Sequence, residues 1–232
     1  MNIDEFVDEV KKLGIDVDNN KLSLLDRYYS LLTEWNEKIN LTAITEKNDV
    51  YLKHFYDSLT LCKVIDFNKE NSFCDIGTGA GFPGIVIKIF FPHLKMTLID
   101  SLNKRIKFLN IVCKELDLKD VTLVHNRAED FARKNRDNFD VVTARAVSSF
   151  SVLLEYSMPM VKNDKFFVAM RGNDDSAAGT NALKVLNSTI IQKERFNLPF
   201  EFSSRCVILV KKNGFIDYKY PRKFSEIKKN PL

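Results

Sequence analysis

The stretch Phe73-Cys74-Asp75-Ile76-Gly77-Thr78-Gly79-Ala80-Gly81-Phe82-Pro83-Gly84 decides the fold of this chain. It begins with a short apolar run typical of a buried strand, and glycines follow at once. Glycines at such a point let the backbone turn tightly at positive φ and approach a ligand closely, while the next helix presents unpaired N–H groups at its start. The stretch therefore predicts a strand, a ligand-binding turn and a helix, as in nucleotide-binding α/β proteins.

The spacing of the glycines does not identify the ligand. Gly79, Gly81 and Gly84 match the GxGxxG pattern of dinucleotide sites. Asp75 favours a different ligand, because a carboxylate there would repel a pyrophosphate and attract the ammonium and sulfonium groups of S-adenosylmethionine. Asp100, about twenty residues further on, can accept hydrogen bonds from the ribose hydroxyls of either cofactor. The turn favours S-adenosylmethionine over NAD, with Asp75, Gly79 and Asp100 as candidate contacts.

Short apolar runs alternate with helical stretches from Asn71 onward. This alternation predicts a parallel sheet with crossover helices, of which Asn103 to Leu116 is the clearest. The predicted strands are Ser72 to Ile76, Met96 to Ile99, Thr122 to His125, Asp140 to Ala144, Lys165 to Met170, Thr189 to Phe196 and Cys206 to Lys212. The predicted fold class is α/β, with a Rossmann-like, doubly wound, mostly parallel seven-stranded sheet.

Helical periodicity marks the N-terminal part of the chain. Apolar residues recur at intervals of three or four from Ile3 to Ile39, with Gly14 dividing two amphipathic helices, and a third helix is expected near Asp49 to Leu61. Trp35 belongs to this apolar stripe and is expected in the core. We expect residues 1–65 to form a helical extension packed on the core, and residues 66–232 to form the main domain with a basic C-terminal segment.

Composition narrows the class of protein. The chain has 232 residues, of which 45% are hydrophobic, and this is enough for one α/β core with an appendage. Its four cysteines stand singly, without the spacing of a zinc site or a disulfide framework, so we expect no metal and a reducing, cytoplasmic compartment. The acidic start of the chain and the absence of a long apolar run predict a protein that is neither exported nor membrane-spanning.

The net charge of +4 is unevenly placed. Residues 1–20 hold six acids and two lysines, whereas residues 211–232 hold seven basic residues and two acids. A basic end can meet the phosphates of a polyanion, although a solvated tail that only aids solubility explains it about equally well. The candidate phosphate contacts are Lys104, Arg105, Lys107, Lys211, Lys212, Arg222 and Lys223.

Motifs along the whole chain resemble one family. They are Trp35-Asn36 with Asn40-Leu41-Thr42, His54-Phe55-Tyr56-Asp57-Ser58-Leu59, Gly77 to Gly84, Asp100-Ser101 with Lys104-Arg105, Arg127-Ala128-Glu129, Arg145-Ala146, and Tyr220-Pro221-Arg222-Lys223. Together they are similar to the bacterial small-subunit ribosomal RNA guanine-N7 methyltransferases, once called glucose-inhibited division protein B. The resemblance implies a class I methyltransferase fold, S-adenosylmethionine as methyl donor, and ribosomal RNA or the ribosomal subunit as partner.

The resemblance also implies roles for individual residues. Gly77 and Phe82 would contact the cofactor at the turn, Ala128 and Glu129 would flank its adenine, and Arg145 would border the methyl-transfer pocket and contact the cofactor. The implied target is N7 of guanine 527 in the 530-loop region of bacterial 16S RNA, and the implied state is a monomer. The chain departs from the family pattern at Arg171, where a lysine is usual, and at residues 224–226, where a link richer in glycine and proline is common.

The chemistry of this reaction makes few demands on side chains. Guanine N7 has a free lone pair and no proton to lose, so no general base is required, and His54, His93 and His125 are expected to be structural or exposed. N7 lies on an edge that is accessible only in distorted or single-stranded RNA. Arg145 and Arg171 are candidate donors to guanine O6, and Arg145 is the candidate positioning residue.

Three other functions remain open from the sequence. A methyltransferase could act on a small molecule or a protein, but the basic C-terminus favours RNA. An NAD-dependent oxidoreductase is disfavoured by Asp75 and by the lack of a recognisable proton-transfer residue. A non-catalytic RNA-binding module would not need the intact glycine turn.

Overall fold

A computed structural model describes residues 1–145 and 148–232 of the chain. Ala146, one of the residues that carry the family resemblance, therefore lies outside the described residues. The strands are β1 (Ser72–Ile76), β2 (Lys95–Asp100), β3 (Val121–His125), β4 (Phe139–Arg145), β5 (Val161–Arg171), β6 (Ser188–Asn197) and β7 (Ser204–Lys212). All seven predicted strands are present.

The strands form one sheet in the order β3-β2-β1-β4-β5-β7-β6. The pairs β3-β2, β2-β1, β1-β4 and β4-β5 are parallel, whereas β7 runs antiparallel to both β5 and β6. The order reverses beside β1, and in such sheets ligands bind beyond the carboxyl ends of the strands at that point. The prediction of a doubly wound, mostly parallel, seven-stranded sheet is confirmed.

Helices flank the sheet and precede it. The α-helices are α1 (Ile3–Lys12), α2 (Asn19–Ile39), α3 (Lys47–Val50), α4 (Asp57–Leu59), α5 (Gly84–Phe90), α6 (Asn103–Glu115), α7 (Ala128–Lys134), α8 (Phe150–Ser157), α9 (Thr180–Val185) and α10 (Phe224–Lys229). A π-helical segment, Tyr51–Tyr56, connects α3 to α4, and 3-10 helices cover Thr60–Lys63, Phe67–Lys69, Met158–Met160 and Ser176–Gly179. Within the described residues, no helix is both long and apolar enough to cross a membrane.

The core lies on both faces of the sheet. Successive residues of β1 belong to different clusters of buried side chains, Phe73 to one and Cys74 to the other. This alternation follows from the two-residue period of a strand. A strand that is covered on both faces reads as a continuous apolar run, which explains why the sequence located the parallel strands well.

The N-terminal helices pack on the sheet domain. The long helix α2 begins after Asp18, whose side chain accepts a hydrogen bond from the backbone N–H of Lys21, and ends at Asn40 in the left-handed conformation. Its Tyr28 is fully buried and donates a hydrogen bond to the carbonyl of Ala80 in the glycine turn, at 2.5 Å. The N-terminal helices therefore support the turn directly. The division of the chain into residues 1–65 and 66–232 stays a prediction.

Candidate functional site

A cleft runs along the carboxyl ends of β1, β2 and β4. It consists of two cavities of about 400 Å³ and about 190 Å³, and both are lined by Gly77, Asp100 and Ser101. The larger is also lined by His54, Phe82, Arg145 and other residues, and we call it the turn cavity. The smaller is also lined by residues 126–129, and we call it the second cavity. A further cavity of about 590 Å³ lies between residues 13–16 and residues 62–68, and the glycine turn does not line it.

The glycine turn has a backbone conformation that requires glycine. Gly77, Gly79 and Gly81 have φ angles of 64°, 62° and 106°, in the region that L side chains rarely adopt. The N–H of Thr78 donates to the carbonyl of Ile99, at 3.0 Å, and ties the turn to β2. A positive φ at these positions explains why the sequence places glycines there.

Asp75 lies beneath the turn rather than in the cleft. Its side chain is fully buried, and its Oδ2 accepts hydrogen bonds from the hydroxyl of Thr78 at 2.7 Å and from the N–H of Gly84 at 3.0 Å. Burial raises the pKa of Asp75 to about 7, although these two hydrogen bonds act in the opposite direction. The carboxylate thus connects the turn to the start of α5 and lines neither cavity, while its Oδ1 has no hydrogen-bond partner among the described residues. Its expected attraction for a cationic ligand stays a prediction.

Asp100 lies where the two cavities join. Its Oδ1 accepts from the N–H of Leu102 at 2.8 Å, and its Oδ2 accepts from the N–H of Gly79 at 3.0 Å and from Arg105 at 3.1 Å. The carboxylate is 2% exposed and lines both cavities. This position agrees with the expected ribose contact, which stays a prediction. Arg105, which the sequence offered as a candidate contact with RNA phosphate, lines the turn cavity and forms an ion pair with Asp100.

Aromatic and charged side chains form one wall of the turn cavity. The imidazole of His54 stacks on the ring of Phe82, with 4.4 Å between the ring centroids. The guanidinium carbon of Arg145 lies 5.3 Å from the centroid of the same phenyl ring. Phe82, Arg145 and His54 thus line one cavity, and the cofactor and pocket roles that the resemblance implies for Phe82 and Arg145 stay predictions.

His54 is held as a neutral imidazole. Burial, reinforced by the charge of Arg145, lowers the pKa of His54 to about 3. Its Nε2 is 2.9 Å from the hydroxyl of Thr42, and its Nδ1 is 3.5 Å from an amino nitrogen of Arg145. His54 has a structural role in these contacts, but it also lines the turn cavity, which the sequence did not indicate.

Asp57 joins Arg145 to a distant strand. Its Oδ2 is 3.3 Å from Arg145, and its Oδ1 accepts from the Nε of Arg205, at the start of β7, at 3.0 Å. Arg145 also donates to the carbonyl of Lys53 at 3.2 Å. The π-helical segment ends immediately before Asp57, and such segments frequently occur at functional sites. Sequence reasoning missed Asp57 and Arg205, although it did single out the motif that contains Asp57.

The second cavity contains a free acceptor. Ala128 and Glu129 line it together with Tyr156 and Phe224, and the adenine contact that the resemblance implies for the first two stays a prediction. Glu129 is 4% exposed, and its Oε1 has no hydrogen-bond partner among the described residues. A buried carboxylate oxygen without a donor is costly unless a ligand supplies one, so the cavity fits a ligand with an N–H group such as an adenine.

The basic C-terminal residues that were predicted to contact RNA phosphate differ in their burial and in their partners. Lys212 is fully buried, and its ammonium donates to Asp137 at 2.6 Å and to the carbonyl of Val161 at 2.9 Å. Its predicted contact with RNA phosphate is therefore wrong, because the ammonium is enclosed by protein. Lys211 is paired with Asp164 at 2.8 Å and lies, like Lys212, at the end of β7 away from the cleft.

Arg171 and Arg222 are each engaged by one carboxylate. Arg171 donates to both oxygens of Asp175, at 2.9 and 2.5 Å, and Arg222 donates to both oxygens of the fully buried Glu155, at 2.8 and 2.7 Å. A planar fork makes such paired bonds and a lysine cannot, which gives the departure at Arg171 a physical reason. Both arginines anchor segments near the cleft, while Lys223, Lys104 and Lys107 are exposed. Their roles with RNA stay predictions.

Comparison with known proteins identifies the family. A family model described as GidB, rRNA small subunit methyltransferase G, matches residues 21–198. The chain belongs to this family. A ribosomal RNA small subunit methyltransferase G from Exiguobacterium sibiricum is 48% identical over 237 residues, and the match covers 100% of both chains. A protein with the same description from Bacillus velezensis is 46% identical, with 100% of this chain and 99% of the relative covered.

Solved structures share the fold at low sequence identity. A precorrin-6y C5,15-methyltransferase from Geobacter metallireducens has a TM-score of 0.51 and 16% identity, covering 62% of this chain and 81% of its own. The [4+2]-cyclase SpnF has a TM-score of 0.55 and 13% identity, covering 68% and 82%. The class I methyltransferase fold is thus confirmed, but a cyclase among the similar structures shows that the fold alone does not determine the reaction.

Proposed function

We propose that the protein transfers a methyl group from S-adenosylmethionine to N7 of a guanine in small-subunit ribosomal RNA, at position 527 of bacterial 16S RNA. One observation carries the proposal. The family match over residues 21–198 includes every residue that lines the two cavities of the cleft except Phe224. The curated relatives are described as small-subunit RNA methyltransferases, which favours this activity over an NAD-dependent oxidoreductase or a non-catalytic RNA-binding module.

The residues of the cleft fit S-adenosylmethionine. We assign the adenine to the second cavity, where Ala128 and Glu129 lie and where the Oε1 of Glu129 is available to accept a hydrogen bond from the exocyclic amine. We assign the ribose to Asp100, which lines both cavities, and the methionine portion to the turn cavity beside Gly77 and Phe82. Gly79 supports the ribose site indirectly, because its N–H donates to Asp100.

The protein's contribution to methyl transfer is alignment. The bound cofactor supplies an electrophilic methyl group on a sulfonium, so the side chains must chiefly position the acceptor. Guanine N7 attacks with a lone pair and releases no proton, and hence no general base is needed. His54 agrees with this requirement, because its lowered pKa and its contacts with Thr42 and Arg145 leave it poorly placed to accept a proton.

Arg145 is the residue that we assign to the acceptor base. Its guanidinium lines the turn cavity and is oriented by Asp57, by the carbonyl of Lys53 and by the ring of Phe82. A guanidinium held in this way can donate to guanine O6 and must leave the lone pair of the neighbouring N7 free for the methyl group. Arg145 would thus position the base without taking part in proton transfer.

Labelled methyl transfer tests the proposal. The wild-type protein and Arg145→Ala would be incubated with labelled S-adenosylmethionine and with intact small subunits, free ribosomal RNA or unrelated RNA of equal length. We expect wild-type label only in small-subunit RNA, at a single guanine, with a nucleoside that elutes with 7-methylguanosine. Strand scission at the modified base locates it.

Each alternative has a distinct result. Label on a pyrimidine, or at another atom of guanine, would contradict the N7 assignment while leaving the methyltransferase assignment intact. Stronger binding of NAD than of S-adenosylhomocysteine would contradict the cofactor assignment. Undiminished turnover of Arg145→Ala with unchanged cofactor affinity would remove Arg145 from its assigned role.

A further inference from the structure

The hairpin between β6 and β7 has two exposed phenylalanines at its tip. Phe200 is 66% exposed and Phe202 is 101% exposed, and we call residues 198–203 the aromatic tip. Phe200 has a φ of 64°, a conformation that is costly for a bulky side chain. The tip is nevertheless closed by hydrogen bonds, from the N–H of Leu198 to the carbonyl of Ser203 at 3.0 Å and from the N–H of Glu201 to the carbonyl of Leu198 at 3.3 Å.

Topology places the aromatic tip at the same edge of the sheet as the cleft. Because β7 is antiparallel to β5, its first residues lie beside the carboxyl end of β5, where Cys206 pairs with Arg171. The far end of β7 lies beside Phe166, near the opposite edge. The tip therefore lies beyond the carboxyl ends of the parallel strands, as do the glycine turn and Arg145.

Direct contacts connect the aromatic tip to the cleft. Glu201 forms an ion pair with Lys53 at 2.9 Å, and the carbonyl of Lys53 accepts a hydrogen bond from Arg145. Arg205, just after the tip, shares Asp57 with Arg145. The two phenylalanines thus lie on a hairpin that is joined at two points to the wall of the turn cavity.

Basic side chains accompany the exposed rings. A cavity of about 390 Å³ at the base of the hairpin is lined by Arg195 and Arg205. Asp174 is shared by Arg195 and Lys193, which leaves one positive charge there, and the Arg195 side chain is 68% exposed. Asp57 is likewise shared by Arg205 and Arg145, but Lys53 is shared by Glu201 and Asp49, so the charges on that side of the hairpin balance. Exposed aromatic rings beside positive charge are the features with which proteins bind unpaired nucleotides, by stacking on the bases and pairing with the phosphates.

We infer that Phe202, with Phe200, forms a stacking surface for unpaired bases that flank the target guanine, and that Arg195 and Arg205 face the adjacent phosphates. This inference rests on the proposed function. N7 of guanine is accessible only where RNA is open or distorted, so the nucleotides around the target have exposed faces. The aromatic tip is placed to receive such faces while the guanine enters the turn cavity.

Substitution of Phe202 tests the inference without disturbing the cleft. An exposed side chain can be replaced with little effect on folding. We expect Phe202→Ala to raise the KM for small subunits between about 5-fold and about 100-fold, with little change in the affinity for S-adenosylhomocysteine. Phe202→Trp should retain activity close to that of the wild type, whereas Phe202→Leu, which is apolar but has no π face, should resemble the alanine variant.

Phe215 provides the matched control. It is 64% exposed and follows β7 at the opposite edge of the sheet, so Phe215→Ala should leave the KM unchanged. An unchanged KM in Phe202→Ala would overturn the inference. Full activity of Phe202→Leu would also overturn it, because that result indicates an apolar contact with a ribosomal protein.

A binding measurement separates this inference from the proposed function. The wild-type chain has one tryptophan, Trp35, so Phe202→Trp adds a reporter whose fluorescence can be compared with the wild-type baseline. We expect single-stranded RNA oligonucleotides to quench the added fluorescence more strongly than duplexes of the same sequence. Quenching without methyl transfer would contradict the proposed reaction alone, and equal quenching by duplexes would contradict base stacking alone.

Discussion

The guanidinium of Arg145 lies over the ring of Phe82, with 5.3 Å between its central carbon and the ring centroid. This contact joins the carboxyl end of β4 to the glycine turn that follows β1. A cation over a phenyl face is stabilised by the ring quadrupole, and a planar guanidinium can also use its N–H fork at the same time. The arrangement therefore fixes both the position and the direction of the guanidinium.

Arg145→Lys should lower turnover, because lysine keeps the charge but cannot maintain the same set of contacts. We expect kcat for methyl transfer to fall by about tenfold to a hundredfold, since small displacements of a positioning group have effects of that size. The affinity for S-adenosylhomocysteine, measured by calorimetry, should change less. Arg27→Lys, at an arginine whose side chain is 50% exposed, is the control. A loss confined to cofactor affinity would instead make Arg145 a cofactor contact only.

Asp57→Asn should destabilise the fold and disorder Arg145. The carboxylate is 4% exposed and faces two guanidiniums, so removal of its charge leaves both without a counterion. We expect the free energy of unfolding to fall by about 2 kcal/mol or more, together with a fall in kcat. Glu34→Gln, at the exposed pair with Lys38, should leave stability almost unchanged, because solvent screens that pair. Equal effects of the two substitutions in urea unfolding would show that Asp57 has no special role.

Glu129→Gln should weaken cofactor binding. The buried Oε1 of Glu129 has no donor among the described residues, and we expect the adenine amine to supply one. A hydrogen bond to a charged acceptor contributes about 1.5–3 kcal/mol and one to a neutral amide oxygen about 0.5–1.5 kcal/mol, so the Kd of S-adenosylhomocysteine should rise by roughly fivefold to tenfold. Asp130→Asn changes the charge of the neighbouring exposed residue and should leave the Kd unaltered. An unchanged Kd in Glu129→Gln would mean that the adenine lies elsewhere.

The architecture could be predicted because local pattern encodes it. Each parallel strand is buried on both faces and reads as an apolar run, and the glycine turn is required by positive φ angles at Gly77, Gly79 and Gly81. The start of β5 was harder to delimit. The predicted strand from Lys165 to Met170 is Val161–Arg171 in the structure, because the mostly polar residues 161–164 pair with β4 across an irregularity at which Asp164 has a φ of 61°.

Contacts between distant parts of the chain could not be predicted in the same way. Arg205 and Asp57 are separated by 148 positions, and no local pattern indicates their hydrogen bond. The error at Lys212 was avoidable, however. Cys206, Ile208 and Val210 share one buried face of β7, and the two-residue period of a strand places Lys212 on that face as well. For Asp75, the sequence showed the charge but not the direction of the side chain.

Gly84→Ala should destabilise the protein even though Gly84 has no unusual φ. A Cβ at this position would lie 2.3 Å from the Cδ2 of Leu98 and 3.0 Å from the Oδ2 of Asp75. The third glycine of the GxGxxG pattern is thus required for close packing of α5 on the sheet, and we expect a loss of about 1–3 kcal/mol from overpacking. Gly172→Ala is the matched control, because a Cβ there would meet no described atom within 4 Å. Similar melting temperatures for the two variants would contradict this role.

His54 and Asp75 should give stability opposite dependences on pH. The pKa of His54 falls to about 3 on folding, from an ordinary value of 6.5, so the unfolded chain binds the proton first and stability is lost as the pH falls below about 6.5. The pKa of Asp75 rises from 3.8 to about 7, so the folded chain binds the proton first and stability is gained as the pH falls from about 7 toward 3.8. Each effect amounts to about 2 kcal/mol between about pH 7 and about pH 5, and the two nearly cancel in the wild type.

Variants separate these two contributions. The free energy of unfolding of His54→Gln should rise by about 2 kcal/mol between about pH 7 and about pH 5, whereas that of the wild type should change little. The reason is that His54 no longer binds a proton in the unfolded chain, so only the contribution of Asp75 remains. The free energy of unfolding of Asp75→Asn should fall by about the same amount over that interval in urea unfolding, because only the contribution of His54 remains. The side-chain oxygen of the asparagine can still accept hydrogen bonds from Thr78 and Gly84. Each variant serves as the control for the other, since both contain buried substitutions near the turn. Parallel changes of the two variants with pH would show that neither residue titrates as its burial requires.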